Sequence, residues 1–367
     1  MENSEKRLIL FMPSMEGGGV EKNIVIIANY LAKNLKNISL ITFDKKFNKK
    51  FNKKIKIINS NYSNQKRYSK YFKYLISIYL LIKEIIKTKK VLVFCFQANM
   101  YCIILSKIFN FNIIVRSNSS PSGWSSNYFK NIIFKIFFKI PKFVIVNSNV
   151  FKKEIDKRFN INSKVIYNPL DKIAILQKSK KKPNFKFYNK NDLKLINIAR
   201  FTDQKDHITL LKAINKIKDI LKVKLLIIGY GSNEKLIKKY IKENNLKKIV
   251  KVINYQDNPY PYLKLSDCMI LTSLFEGLPN VLLEGLTLKK FIISTDCPTG
   301  PNEILMNGKY GFLFKIGDYN QLSSLILKYS KNKKLFYKKT MLGFKSLNRF
   351  DYMNNCKKYL KVILESL

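Results

Sequence analysis

Residues 272 to 285 read Thr-Ser-Leu-Phe-Glu-Gly-Leu-Pro-Asn-Val-Leu-Leu-Glu-Gly, and no other stretch constrains the fold as much. The apolar run Cys268-Met-Ile-Leu before them has the length of a buried strand, and Val281-Leu-Leu behind them continues as an apolar helix face. The order is therefore strand, tight loop, helix start. Gly277 permits backbone angles that other residues avoid, and Pro279 suits a first helical position. The uncapped amides of that first turn would face whatever fills the loop, so the place attracts anions. Two carboxylates, Glu276 and Glu284, flank it. At about 1.5 Å of rise per residue they stand roughly 12 Å apart. The paired acids of a glycoside hydrolase sit roughly 5 to 9.5 Å apart, which this pair exceeds.

At 367 residues the chain is long enough for two ordinary domains, and 46% hydrophobic residues exclude a disordered chain despite the charge. The net charge of +45 favours anionic partners: nucleic acid, anionic lipid and sugar nucleotide all qualify. Codon bias is another source of the lysines, because Lys, Asn and Ile crowd the chain together. Cys95, Cys102, Cys268, Cys297 and Cys356 show no Cys-x-x-Cys spacing and there is a single histidine, so no metal site is expected. The thiols read as buried and reduced. Arg7-Leu-Ile-Leu-Phe-Met-Pro is too short for a signal segment and reads as the first strand. The longest apolar runs, Tyr74 to Ile82 and Val91 to Ser106, fall short of a spanning helix or are broken by Gln97 and Asn99. A soluble or peripheral protein is expected.

Two series of alternating strands and helices follow along the chain, as expected of parallel sheets with crossover helices. In the first, strand Leu8 to Met12 runs through Gly17, Gly18 and Gly19 into a helix from Val20, a place that suits phosphate approach or is simply a structural turn. A helix is expected within Lys66 to Lys90. Strand Ile113 to Val115 delivers the polar loop Arg116-Ser-Asn-Ser-Ser-Pro, where Arg116 and Asn118 are acceptor-side candidates. In the stretch from Tyr128 to Lys142, Lys135, Lys139 and Lys142 recur on one helix face and Phe129, Ile132, Ile133 and Ile136 on others. That pattern suits an interfacial helix on an anionic membrane, or a crossover helix with a solvated lysine side.

Asn168-Pro169 ends the first series, residues 171 to 191 read as a linker, and the second series begins at Leu193. There, strand Leu193 to Ile198 delivers Arg200 and Lys205 to a loop before a helix from Ile208. His207 has no partner histidine or cysteine nearby and reads as capping or packing. Gly229-Tyr-Gly231 reads as a tight turn, and Asn254 and Tyr255 follow another strand.

Ser273-Leu-Phe-Glu-Gly-Leu-Pro-Asn-Val-Leu-Leu-Glu-Gly resembles the two-glutamate signature of retaining glycosyltransferases of family 4. Ala199-Arg-Phe-Thr-Asp-Gln-Lys-Asp-His looks like that family's donor-phosphate motif, and Cys297-Pro-Thr-Gly-Pro-Asn-Glu-Ile-Leu and Gly308-Lys-Tyr-Gly-Phe-Leu-Phe resemble its next blocks. Gly17-Gly-Gly-Val-Glu-Lys and Val165-Ile-Tyr-Asn-Pro-Leu-Asp extend the resemblance over most of the chain. It implies an α/β fold of the GT-B kind, with two facing Rossmann-like domains and parallel sheets. The expected domains are residues 1–170 on the acceptor side and 192–345 on the nucleotide-sugar side, with 346–367 returning to the first domain.

The resemblance also implies roles. Arg200 and Lys205 would meet the leaving diphosphate, Glu276 would hold donor-sugar hydroxyls or act as nucleophile, and Glu284 would accept from the ribose. Gly17, Gly18, Gly19, Asn254, Tyr255, Gly277, Leu278, Pro279 and Asn280 would line the donor. Many relatives carry a histidine near Arg116 and this chain does not. No metal and no cofactor are expected, since the sequence holds no Asp-x-Asp pair and the nucleotide sugar is itself a substrate. Expected partners are a nucleotide diphosphate sugar, probed first as uridine diphosphate linked, a glycan or polyprenyl-diphosphate acceptor, and an anionic membrane at its cytoplasmic face. Nucleic acid is not expected, because the aromatics form no stacking motif. A basic nucleic-acid-binding protein and a sugar-nucleotide epimerase stand as alternatives.

Overall fold

The computed structural model describes residues 6–62, 68–88, 90–118, 128–183 and 185–367. Lys66, and Ser119 to Pro121 of the polar loop, lie outside the described residues. The first series comprises β1 (Arg7–Phe11), α1 (Gly19–Asn34), β2 (Ile38–Ile41), β3 (Lys56–Ile58), α2 (Lys70–Lys87), β4 (Val91–Cys95) and α3 (Asn99–Ile108). It continues with β5 (Asn112–Arg116), α4 (Tyr128–Phe137), β6 (Phe143–Val146), α5 (Asn149–Phe159) and β7 (Lys164–Val165). The second comprises α6 (Lys172–Lys178), β8 (Leu193–Ile198), α7 (His207–Ile217), β9 (Val223–Gly229), α8 (Glu234–Glu243), β10 (Val250–Asn254) and α9 (Tyr260–Leu265). After these come β11 (Cys268–Leu271), α10 (Asn280–Thr287), β12 (Phe291–Thr295), α11 (Pro301–Leu305), β13 (Phe312–Phe314), α12 (Tyr319–Lys331), α13 (Lys333–Ser346) and α14 (Tyr352–Leu364).

The chain divides into two compact units, one running to Pro169 and regaining Tyr352–Leu367, the other Leu170–Asp351. The return therefore starts at Tyr352, later than Ser346. The stretch 171–191 is not a bare linker: Asp171 caps α6, its carboxylate accepting from the Ala174 N–H at 2.9 Å.

All strand pairs in both sheets are parallel, in the orders β3-β2-β1-β4-β5-β6-β7 and β10-β9-β8-β11-β12-β13. Parallel strands covered on both faces must be apolar on both, and the residues of β1 show how. Leu8 and Leu10 pack with Ile24, Ile27 and Leu31 of α1 and with Tyr359 and Ile363 of α14. Ile9 and Phe11, pointing the other way, belong to a cluster with Leu81 of α2, Ile103 of α3 and Phe151, Ile155 and Phe159 of α5. Each such buried aliphatic side chain contributes about 1.5–3 kcal/mol. In both sheets the order reverses once, at β1/β4 and at β8/β11. The carboxyl ends of strands at such a reversal open a crevice, where ligands of open α/β sheets bind.

Candidate active site

In the second unit the reversal brings together loops far apart in sequence. β8 pairs with β11, so the loop carrying Arg200 and Lys205 emerges beside the loop carrying Glu276. Hydrogen bonds to the backbone join them: the Leu274 N–H donates to the Gln204 carbonyl at 2.8 Å, and the Thr272 hydroxyl to the Lys205 carbonyl at 2.9 Å. The Gln204 side-chain amide donates to the Phe275 carbonyl at 2.8 Å. Lys205 Nζ consequently forms an ion pair with Glu276 Oε1. The Ser273 hydroxyl donates to the same carboxylate oxygen at 2.6 Å. Glu276 is buried, and these two donors hold it in place of water.

The segment after β12 backs this loop. The Thr299 hydroxyl donates to the Glu276 carbonyl. Gly300 has φ +86°, and a Cβ there would stand 2.2 Å from the Gly277 oxygen and 2.6 Å from Pro279 Cδ, so only glycine allows the approach. Cys297 is buried beneath, its thiol pushed up to about 12 by burial and by the Glu276 charge.

α10 begins differently from the sequence expectation. Pro279 is the residue before the helix rather than its first position, with φ −71° and ψ 105°. Its fixed φ suits either place, but the extended ψ makes it the half-in residue, and its carbonyl accepts from the Leu282 N–H at 3.1 Å. Asn280 thus opens the helix. Glu284, one turn further, is buried and accepts from the Tyr260 hydroxyl of α9 at 3.3 Å.

Arg200 is exposed, and its side chain has no partner among the described residues. The glycine turn after β9 lies against this loop: the Phe201 N–H donates to the Tyr230 carbonyl at 2.7 Å and the Asn233 N–H to the Phe201 carbonyl at 2.9 Å. Asn254, exposed at the end of β10, and Tyr255 flank that turn, with the Tyr255 ring edge-on to Tyr230 at 5.8 Å. His207 is the packing residue: buried, edge-on to Phe201 at 5.2 Å, its pKa lowered to about 4 by burial and the Lys205 charge. Asp206, at φ 40°, caps α7 instead, accepting from the Thr209 N–H at 3.1 Å.

In the first unit the glycines occupy the reversal beside β4. Gly17 has φ +100°, Gly18 precedes α1 and Gly19 opens it. The loop already holds an anion of the chain's own: the Glu16 N–H donates to Glu21 Oε1 at 3.1 Å. The Ser14 N–H reaches Gln97 Oε1, after β4, at 3.2 Å.

Arg116 corrects the sequence expectation. It is fully buried, donating through Nε to the Tyr359 hydroxyl at 2.9 Å and through Nη2 to Asn168 Oδ1 at 2.5 Å. The guanidinium ties β5 to the end of the first series and to α14, which removes it as an exposed ligand group. Asn118 donates to the Phe96 carbonyl at 2.7 Å, while its Oδ1 is buried without a partner among the described residues.

Ser273, Tyr260, Thr299, Gln204 and Gly300 escaped the sequence reading. Ser273 lies in the loop motif three residues before Glu276, Gln204 in the block that begins at Ala199, and Thr299 and Gly300 in the block that begins at Cys297, while Tyr260 lies in none of them. That these three segments meet around Glu276 is decided by the sheet order. Among the described residues, no three His, Cys, Asp or Glu side chains gather as metal ligands would. The five cysteines are buried and free.

The family described as "Glycosyl transferases group 1" matches residues 178–340, the span that holds Arg200, Lys205 and both glutamates. That stretch of the chain is therefore similar to the glycosyl transferase group 1 domain. An uncharacterized glycosyltransferase of Methanocaldococcus jannaschii is 34% identical over 58% of this chain and 59% of its own length. The N-acetylgalactosamine-N,N'-diacetylbacillosaminyl-diphospho-undecaprenol 4-alpha-N-acetylgalactosaminyltransferase of Campylobacter jejuni is 23% identical over 97% of this chain and 99% of its own. The structure of Anabaena HepE, solved in complex with UDP and glucose, superposes with a TM-score of 0.81 at 16% identity, covering 99% of this chain and all of HepE. The two parallel-sheet units of the chain are thus those of the GT-B fold.

Proposed function

We propose that this chain is a retaining glycosyltransferase of family 4 that moves a hexose or N-acetylhexosamine from a nucleotide diphosphate sugar to a lipid-linked or oligosaccharide acceptor. One observation carries the reading: Lys205, Glu276 and Ser273 form one cluster at the sheet reversal of the second unit, with Arg200 exposed on the adjoining loop. When the bond from the sugar's anomeric carbon to the diphosphate breaks, negative charge grows on the leaving oxygen. Arg200 supplies forked donors to it and Lys205 a point charge, with the amides opening α10 adding their dipoles. Lys205 has three donors, so it serves the diphosphate while still holding Glu276. Glu276 then accepts from donor-sugar hydroxyls, and the acceptor oxygen bonds the anomeric carbon on the face the diphosphate leaves, giving up its proton to the departing group. Glu284 accepts from the ribose beside Tyr260, and Asn254 and Tyr255 receive the base. The positive side chains do the work assigned elsewhere to a divalent ion, so the reaction proceeds without metal or cofactor.

UDP is the proposed nucleotide, supported by the UDP bound to HepE. A polyprenyl-diphosphate-linked glycan is the proposed acceptor, supported by the diphospho-undecaprenol in the Campylobacter relative's name. On this reading the protein contributes to surface polysaccharide such as capsule or lipopolysaccharide, working peripherally at the inner face of the cytoplasmic membrane. Among the described residues no helix is long and apolar enough to cross a membrane. The basic helix α4 then faces anionic headgroups, and Asn118 offers its Oδ1 to an acceptor hydroxyl.

The test is a thermal-shift panel of nucleotide sugars followed by an assay of nucleotide diphosphate release with and without acceptor, both in the presence of a chelator. Stabilisation by a UDP-sugar and acceptor-dependent release that survives chelation support the reading. Release that depends on a divalent ion, or no response to any nucleotide sugar, overturns it.

A further inference from the structure

The exposed apolar side chains of the first unit are concentrated on one side of its sheet. α2, α3, α4 and α5 cover the same sheet face, and α3 packs on α4 and α4 on α5. On α2, Tyr71, Leu75, Tyr79 and Ile86 form a single stripe at helical spacing, Leu75 and Ile86 being 66% and 71% exposed. Ile104 and Ile108 continue it on α3, Ile108 at 66%, and Ile133 and Ile136 on α4. Leu81 and Ile85 of α2 and Cys102 and Ile103 of α3 belong to one buried cluster against that sheet face. Across the same sheet, among the described residues, α1 exposes no large apolar side chain and α14 exposes two, Met353 and Leu364. In the sequence only α4 stands out as a surface of this kind.

The exposed charges carried by α2, α3 and α4 themselves have one sign. Lys70, Lys83, Lys87, Lys107, Lys135 and Lys139 are exposed along or just beyond the three helices. The lone carboxylate of these helices, Glu84, is buried and paired with Arg7 at 2.7 Å. A surface with protruding aliphatic and tyrosine side chains, lysines between them and no exposed acid complements an anionic lipid headgroup layer with an apolar interior. A second copy of the same face would set lysine against lysine. Nucleic acid would satisfy the charge and leave the aliphatic stripe uncovered.

We infer that the outer faces of α2, α3 and α4 together form one docking surface for an anionic lipid bilayer. This deepens the membrane reading made for α4 above and gives the enzyme a fixed side toward the lipid.

The experiment uses the full chain and vesicles of phosphatidylglycerol mixed with phosphatidylcholine, against phosphatidylcholine alone, at low salt. The variants are Leu75→Glu with Ile86→Glu on α2, Ile104→Glu with Ile108→Glu on α3, and Ile133→Glu with Ile136→Glu on α4. All six positions are exposed, and melting curves check that the fold is kept. Each pair is expected to lower the vesicle partition coefficient roughly tenfold or more. Leu335→Glu with Tyr337→Glu, exposed on α13 of the second unit, is expected to leave it unchanged. Wild-type retention by the α2 and α3 pairs overturns the inference, as does equal binding to both vesicle types. So does a dimer broken by these substitutions in a chain that ignores vesicles. Stabilisation by nucleotide sugar is measured on the same variants without lipid, so failure of the transferase reading and failure of the docking surface appear in different assays.

Discussion

Arg116 ends a parallel strand and Arg200 follows one, both at the carboxyl edge of their sheets, yet they have opposite fates. Arg116 is swallowed by the first unit, with Tyr359, Asn168 and the Phe96 ring at 5.7 Å as its surroundings. Arg200 stands exposed on a loop whose neighbours, Lys205 and Glu276, are already bound to each other. A guanidinium at a strand end is thus either a structural tie or a ligand group, and the difference lies in what else reaches the same place. In the first unit α14 returns to cover the arginine; in the second, hydrogen bonds between adjacent loops fix the charged partners and leave the arginine outside.

Substitution separates the two roles. Arg200→Ala should lower turnover by roughly two to three powers of ten, the effect of losing one preorganised donor, without changing the urea midpoint. Near-normal turnover would break the contrast at its functional end. Arg116→Ala should behave in the opposite sense, costing about 2–4 kcal/mol of unfolding free energy because Tyr359 and Asn168 lose a buried partner. Its turnover per folded molecule should stay close to wild type, and an activity loss at full stability would return Arg116 to the ligand-binding groups.

His207 sharpens the comparison through pH. Its folded pKa is about 4 and an unfolded histidine titrates near 6.5, so between those values the unfolded chain binds more protons. Stability contributed at neutral pH should therefore fall as pH drops, by about 2 kcal/mol from about pH 7 to about pH 4.5. Urea titrations of wild type and His207→Phe across that range should diverge, the variant losing this part of the slope. Parallel curves would place the acid sensitivity elsewhere. The smallest effect is expected for Ser273→Ala, which removes one of the two donors on Glu276. A loss of about 1 kcal/mol in stability and a several-fold fall in turnover should follow, read in the same two assays. Unchanged turnover would mean that Lys205 alone positions the carboxylate.

The pattern of apolar runs and breaks determined the alternation of strands and helices, because buried parallel strands must be apolar on both faces and amphipathic helices must cover them. The loop Phe275-Glu-Gly-Leu-Pro was legible as a strand-to-helix turn for the same local reasons. Only the tertiary structure decided that β8 lies next to β11, since pairing between strands this far apart leaves no mark in either local sequence. That one adjacency brings Lys205 to Glu276 and makes Gln204 a strut. It was likewise the return of α14, packed through Tyr359, that turned Arg116 from a candidate into a tie. The helix spacing around Lys135 was visible in the chain, although α4 ends at Phe137 and leaves Lys139 and Lys142 beyond it, whereas the apolar stripes of α2 and α3 gained meaning once the sheet placed all three helices on one side. Local sequence sets the elements because their forces act within a few residues; the site and the face arise where elements meet, and those meetings depend on the whole core.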